Sequence, residues 1–100
     1  MTTIQRSPTL PVKHPGLVFK ERCLDAHQLS VTFAAQKLHM SRKQVSLFVN
    51  GKSRVSIELA KKLQIATGIS TEFWINRQQK YDLHQSHSLE VDAEPLYAFG

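Results

Sequence analysis

Apolar side chains recur along most of this chain at i, i+3 and i+4, the spacing that gathers them on one side of an α-helix. The sharpest instance is Val45, Phe48 and Val49, flanked by punctuation at both ends. Ser41 reads as an N-cap and Gln44 completes an S-x-x-Q capping box with it, while Gly51 supplies the left-handed residue that stops the helix. Upstream, Ser30 caps a helix over residues 31–38 with Ala34, Ala35 and Leu38 facing inward, and small Ala35 lets the next helix cross closely. His39-Met40 is then the turn, with His39 expected at positive φ, and the two helices form a helix-turn-helix. His14-Pro15-Gly16 starts an earlier helix, with Val18, Phe19, Arg22, Cys23 and His27 at its inner and flanking positions. Ser56 caps a fourth, with Glu58 in its first turn, Leu59, Ala60, Leu63 and Ala66 as its inner stripe and Gly68 as its end. Ser70 caps a fifth that runs to about Leu83. The pattern predicts an all-α, five-helix domain over residues 14–83. An extended arm (1–13) precedes it and a short acidic tail (84–100) follows. The one hint of extended structure is Leu96-Tyr97-Ala98-Phe99.

The face left outside on the third helix changes the picture from fold to function. Arg42, Lys43, Ser46 and Leu47 lie there beside Ser41 and Gln44, making a first turn that is cationic and rich in hydrogen-bond donors. A short capped helix of this kind suits a DNA major groove, where arginine forks onto guanine and a cap region meets phosphate. Arg42, Lys43 and Gln44, with Ser46 helping, are the candidate base readers; Leu47 suits a thymine methyl. Lys52 and Arg54, just past Gly51, suit phosphates. The bland alternatives are a solvated helix face, an exposed charged loop and an ordinary αα-hairpin. Gln44 cannot serve its capping box and an adenine edge together, so base reading requires it to switch.

Charge agrees with a nucleic-acid partner. The 100 residues carry a net +5, and the imbalance is local. Residues 1–83 hold all thirteen Lys and Arg against five acids, giving +8, whereas residues 84–100 hold only Glu90, Asp92 and Glu94, giving −3. A single cysteine excludes an internal disulfide and fits a reducing cytoplasm. No long apolar run or signal pattern points to a membrane.

Larger groups of residues resemble a known family. His14-Pro15-Gly16, Leu29-Ser30, Ser41-Arg42 and Val49-Asn50-Gly51 are similar to the HigA/VapI group of antitoxins, within the phage-repressor-like (Xre) helix-turn-helix class. The most specific match is the run Glu72-Phe73-Trp74-Ile75-Asn76-x-Gln78-x-x-Tyr81-Asp82-Leu83. The resemblance covers residues 14–83 and implies a five-helix lambda-repressor-like domain. It also implies a homodimer that binds palindromic double-stranded operator DNA, represses its own operon and neutralises a HigB-type mRNA endonuclease. Leu47, Val31, Lys61, Gln64, Ile65 and Arg77 depart from the group's pattern and bear on operator sequence more than on fold.

Other chemistry is sparse. Phe73, Trp74, Tyr81 and Leu83 on the fifth helix are the candidate dimer interface. Phe73 also fits a core, but Trp74, about a quarter-turn away, cannot share the centre of so small a domain and points to a dimer contact. Cys23 and His27, and His84 with His87, have helical spacings that suit a metal, but two ligands make no zinc site. No catalytic set and no cofactor-binding loop is present, so the expectation is a protein with neither enzymatic activity nor a cofactor. A solitary phage-type regulator, or a protein-binding module built on the same scaffold and using Phe33, Ile57 and Ile65, are the alternatives. The acidic tail with its apolar tip suits a basic protein such as a toxin; a disordered end is the simpler reading.

Overall fold

The structure, a computed structural model, describes residues 12–98 and contains helices but no strand among them. Helix α1 (Pro15–Phe19) continues without a break into a π-helical segment, Lys20–Asp25. Helices α2 (Val31–Leu38), α3 (Arg42–Val49), α4 (Ile57–Thr67) and α5 (Thr71–Gln85) follow. All four serine caps form: the hydroxyls of Ser30, Ser41, Ser56 and Ser70 each accept from the backbone N–H three residues on, at 3.0 Å. Gln44 Oε1 accepts in return from the Ser41 N–H at 2.9 Å and closes the capping box.

Helix ends follow the same economy of local bonds. His39 sits at φ 55° and Gly51 at φ 73°, and each helix closes with a six-to-one bond, Met40 N–H to Ala35 O at 3.0 Å and Lys52 N–H to Leu47 O at 2.8 Å. The end of the π-helical segment repeats this closure where the sequence carries no glycine: Gln28 takes φ 57° and the Leu29 N–H reaches Leu24 O at 2.8 Å. The wide π turn also changes which residues point inward. Leu24, five positions after Phe19, is buried, whereas the expected Arg22 and His27 are exposed and Cys23 is half-buried.

The core gathers around Phe19, Phe48, Leu63 and Trp74, with Val45, Val49 and Ala60 filling between them. Two assignments are corrected here. Ala66 is exposed; α4 buries Leu59, Ala60 and Leu63 and turns Ala66 to solvent near its C-terminus. Trp74 is 0% exposed, its indole N–H donates to Ile69 O at 3.2 Å, and its ring packs edge-on against Phe19 and Phe73. Its expected place in a dimer contact therefore gives way to the core, where the ring packs against Phe19 and Phe73 and its one polar atom finds a backbone partner. Phe73 is the peripheral member of the pair, with the Arg77 guanidinium 5.5 Å from its ring centre. Gln64, another departure from the group's pattern, accepts from the Thr71 N–H and hydroxyl and joins α4 to the start of α5.

Helix α1 approaches α3 through a missing side chain. A Cβ on Gly16 would lie 1.6 Å from the Phe48 carbonyl oxygen, so only glycine permits this crossing. Past α5, which ends at Gln85 rather than Leu83, the chain is irregular and exposed, and the residues 96–98 that suggested extended pairing form a bend. Phe99 and residues 1–11 of the arm lie outside the described residues. Among the described residues no helix is long and apolar enough to cross a membrane.

Candidate nucleic-acid interface

The exposed face of α3 is set by what holds the helix from behind. Val45 and Phe48 are 1% exposed and Val49 3%, so the helix is clamped along one side and its opposite side must face solvent. Ser41, Arg42, Lys43 and Gln44 are exposed there, Ser46 is half-buried and Leu47 keeps 39% of its surface. Arg42, Lys43, Ser46 and Leu47 line a shallow groove with Val31 of α2. On the other flank Gln44 and Leu47 share a depression with Ser53, Arg54, Ser56 and Lys62. Lys62 also donates to the His39 carbonyl at 3.3 Å, bracing the turn between α2 and α3. The structure thus leaves the six expected α3 residues accessible on the outer side of the helix, and brings Arg54 of the loop beside Gln44 and Leu47.

Two of these candidates carry other duties. Gln44 is bound into the capping box, so reading a base would leave the Ser41 N–H without its partner. Arg54 is forked onto Asp82 of α5, Nη1 to Oδ1 at 3.0 Å and Nη2 to Oδ2 at 2.9 Å. Each partner shifts the other: the guanidinium holds the Asp82 carboxyl below its ordinary range, and the carboxylate raises Arg54. Arg54, expected from sequence as a phosphate contact, is therefore a braced cation rather than a loose loop charge. Lys52 remains exposed beside it, with no ion pair among the described residues.

Sequence reasoning missed the residues that grip this loop. Buried Gln78, 3% exposed, accepts from the Val55 N–H through Oε1 at 2.9 Å and donates through Nε2 to Asp82 Oδ1 at 3.0 Å. Buried His14 caps α1, its Nδ1 accepting from the Gly16 N–H at 2.8 Å, and bonds to the Ser53 backbone. Since Nδ1 accepts, the ring carries its proton on Nε2 and is neutral; desolvation, the dominant cause, lowers its pKa below 6.5. Its ring stacks edge-on against Tyr81 at 4.9 Å. Tyr81, expected at a dimer contact, is thus half-buried against its own chain, whereas Leu83 is 72% exposed. The motif positions of His14, Gln78 and Asp82 were the available signal, but their partners lie too far along the sequence to be read from spacing. Burial raises the pKa of the Cys23 thiol, which packs half-buried against the core. Among the described residues no three His, Cys, Asp or Glu side chains converge as metal ligands.

Known proteins share this fold. The chain is 42% identical over 73 residues to virulence-associated protein A' of Dichelobacter nodosus, covering 72% of this chain and 63% of that protein, less than two thirds of the relative's length. The antitoxin HigA of Pseudomonas aeruginosa, solved with the higBA promoter, superposes with a TM-score of 0.76 at 26% identity over 86% of this chain and 99% of that one. An addiction module antidote protein of the HigA family from Coxiella burnetii superposes at 0.74, with 25% identity over 79% and 86% of the two chains. The helix-turn-helix family model matches residues 20–74, from the π-helical segment to Trp74 in the first turn of α5. A capped third helix braced by a second helix, on a scaffold shared with HigA antitoxins, and a family model that matches over half of the residues place this chain in the helix-turn-helix family, in its phage-repressor-like class.

Proposed function

We propose that this chain is a sequence-specific transcriptional repressor that binds its own operator as a dimer and serves as the antitoxin of a type II toxin–antitoxin pair. The observation that carries this reading is the exposed first turn of α3, where Arg42 and Lys43 project from a capped helix whose opposite side is wholly buried. Arg42 then forks onto a guanine edge with Lys43 reading beside it, Leu47 meets a thymine methyl, and Lys52 and the Ser41 cap region hold phosphates. A two-fold dimer presents two such helices about 34 Å apart, one turn of B-DNA. With Trp74 in the core, exposed Leu83 and the outer edges of Phe73 and Tyr81 are the α5 surface for that contact.

The partner to be neutralised is a HigB-type mRNA endonuclease. Glu90, Asp92 and Glu94 would be repelled by DNA and suit a basic ribonuclease, with exposed Leu89, Val91 and Leu96 supplying apolar contact. Fluorescence anisotropy with the protein's own promoter fragment tests the DNA reading. Arg42→Ala is expected to weaken operator binding by about 1–3 kcal/mol and relax preference at one base pair, while Lys52→Ala weakens all sequences alike. Unchanged affinity for Arg42→Ala removes α3 as the reading helix. Deleting residues 88–100 is expected to spare operator binding and weaken neutralisation of the toxin; full neutralisation by the truncated chain moves the contact elsewhere.

A further inference from the structure

Three of the four residues that follow Gly51 are fixed by elements distant in sequence. Ser53 is bonded through its backbone to His14, Arg54 through its guanidinium to Asp82, and Val55 through its N–H to Gln78. An exposed ion pair is ordinarily loose and worth little. This one differs because its acid is itself tethered: Asp82 Oδ1 accepts from Gln78 Nε2 at 3.0 Å, and Gln78 is 3% exposed and bound to the loop backbone. The carboxylate therefore has a fixed position and so does the guanidinium forked onto it.

That fork leaves much of the guanidinium unused. Arginine carries five N–H donors, and an end-on pair with a carboxylate engages two of them. The Arg54 side chain is 68% exposed, so the remaining donors face solvent. Arg54 and Ser53 form part of the wall of the depression that Gln44 and Leu47 of α3 also line. A duplex seated on α3 brings its backbone over this wall.

We propose that Asp82, tethered by Gln78, is a positioning residue for DNA binding, aiming Arg54 so that its outer edge meets a phosphate beside the groove that α3 enters. This rests on the reading of α3 as the operator-binding helix. Asp82 touches no DNA; it preorders a side chain that otherwise gives up rotamer freedom on binding. The arrangement also explains why an acid is tolerated near a phosphate-facing surface.

The sign of one substitution decides the matter. Removing an acid from a DNA-facing surface ordinarily strengthens binding and steepens its salt dependence. If Asp82 positions Arg54, Asp82→Ala instead weakens operator binding by about tenfold and flattens the slope of log K against log salt by about one, as Arg54→Ala does. The double variant Arg54→Ala/Asp82→Ala is then no weaker than either single one, because both remove the same contact. Anisotropy titrations on the full chain over several salt concentrations, with a thermal melt for each variant, supply the measurement. Equal or tighter binding by Asp82→Ala overturns the proposal and makes Asp82 a competitor for Arg54. Should Asp82→Ala fail to fold, Asp82→Asn keeps one acceptor oxygen and decides the question: weaker binding supports the proposal, equal or tighter binding overturns it. A wild-type chain that ignores its promoter fragment defeats the DNA-binding reading itself. Wild-type binding matched by Arg54→Ala defeats only this proposal.

Discussion

Replacing Gly16 with alanine adds a single methyl group at the point where α1 crosses α3. The new Cβ would stand 1.6 Å from the Phe48 carbonyl oxygen and 2.6 Å from its carbon, less than half and about three quarters of the 3.4 Å at which contact becomes ordinary. Gly16 does not need a left-handed backbone, so space alone is at stake. The obstacle is backbone, which cannot swing aside as a side chain does, and His14 Nδ1 at 3.1 Å closes the third side. Overpacking costs about 1–3 kcal/mol where neighbours can yield, so the upper figure applies here. Alanine returns up to about 1 kcal/mol through its better helix propensity. The net loss of about 2 kcal/mol lowers the Tm by roughly 8–16 °C for a domain of this size. Thermal and urea melts followed by fluorescence of the single, fully buried Trp74 read this directly. Because Phe48 belongs to α3, the proposed reading helix, operator affinity is expected to fall at temperatures well below the new Tm as well, as α3 is displaced while still folded. A Gly16→Ala chain that melts at or above the wild-type temperature refutes the argument.

Further outcomes follow from the same geometry. Trp74→Ala is expected to cost about 3–5 kcal/mol as a core deletion, whereas Leu83→Asp should lower dimer content in sedimentation experiments without a comparable drop in melting temperature. Burial holds His14 below its ordinary 6.5 in the folded chain, so the unfolded chain binds that proton more readily. Its stabilising contribution is whole above about pH 6.5 and fades as the pH falls through that value toward the folded one; urea midpoints at pH 7.5, 6 and 5 should decline, and His14→Asn, which keeps a capping side chain, should flatten that decline. His39→Gly removes a left-handed strain of about 1 kcal/mol and should raise the Tm slightly, since Lys62 bonds a carbonyl that glycine retains.

Local chemistry was the part of this fold open to reading from the sequence. Caps at Ser30, Ser41, Ser56 and Ser70 and the left-handed stops at His39, Gly51 and Gly68 depend on residues within a few positions of one another, and all of them form. The π-helical segment left no such trace: its signature is a changed winding, and it moved Leu24 inward where an α-helical period had placed others. Trp74 reads as an interface residue from sequence if a small core holds one large aromatic, and the shared burial of Phe19, Phe48 and Trp74, ring against ring, undoes that premise. The α3 surface was legible because one helix supplies it. The brace on Arg54 was not, because Asp82 lies 28 residues downstream and only the folded chain brings the two together.

The division of labour on α3 bears on how such a protein can change over generations. Val45, Phe48 and Val49 do the holding, while Arg42, Lys43, Ser46 and Leu47 project from the other side and contribute little to the core. Substitutions on one side are therefore nearly independent of those on the other. A lineage can rewrite the outward four and acquire a new operator without passing through unfolded intermediates, so duplicated copies can drift apart in target while keeping one scaffold. Gln44 is the exception, since it belongs to the cap and to the reading surface together. It is the position at which divergence of target and conservation of architecture come into conflict.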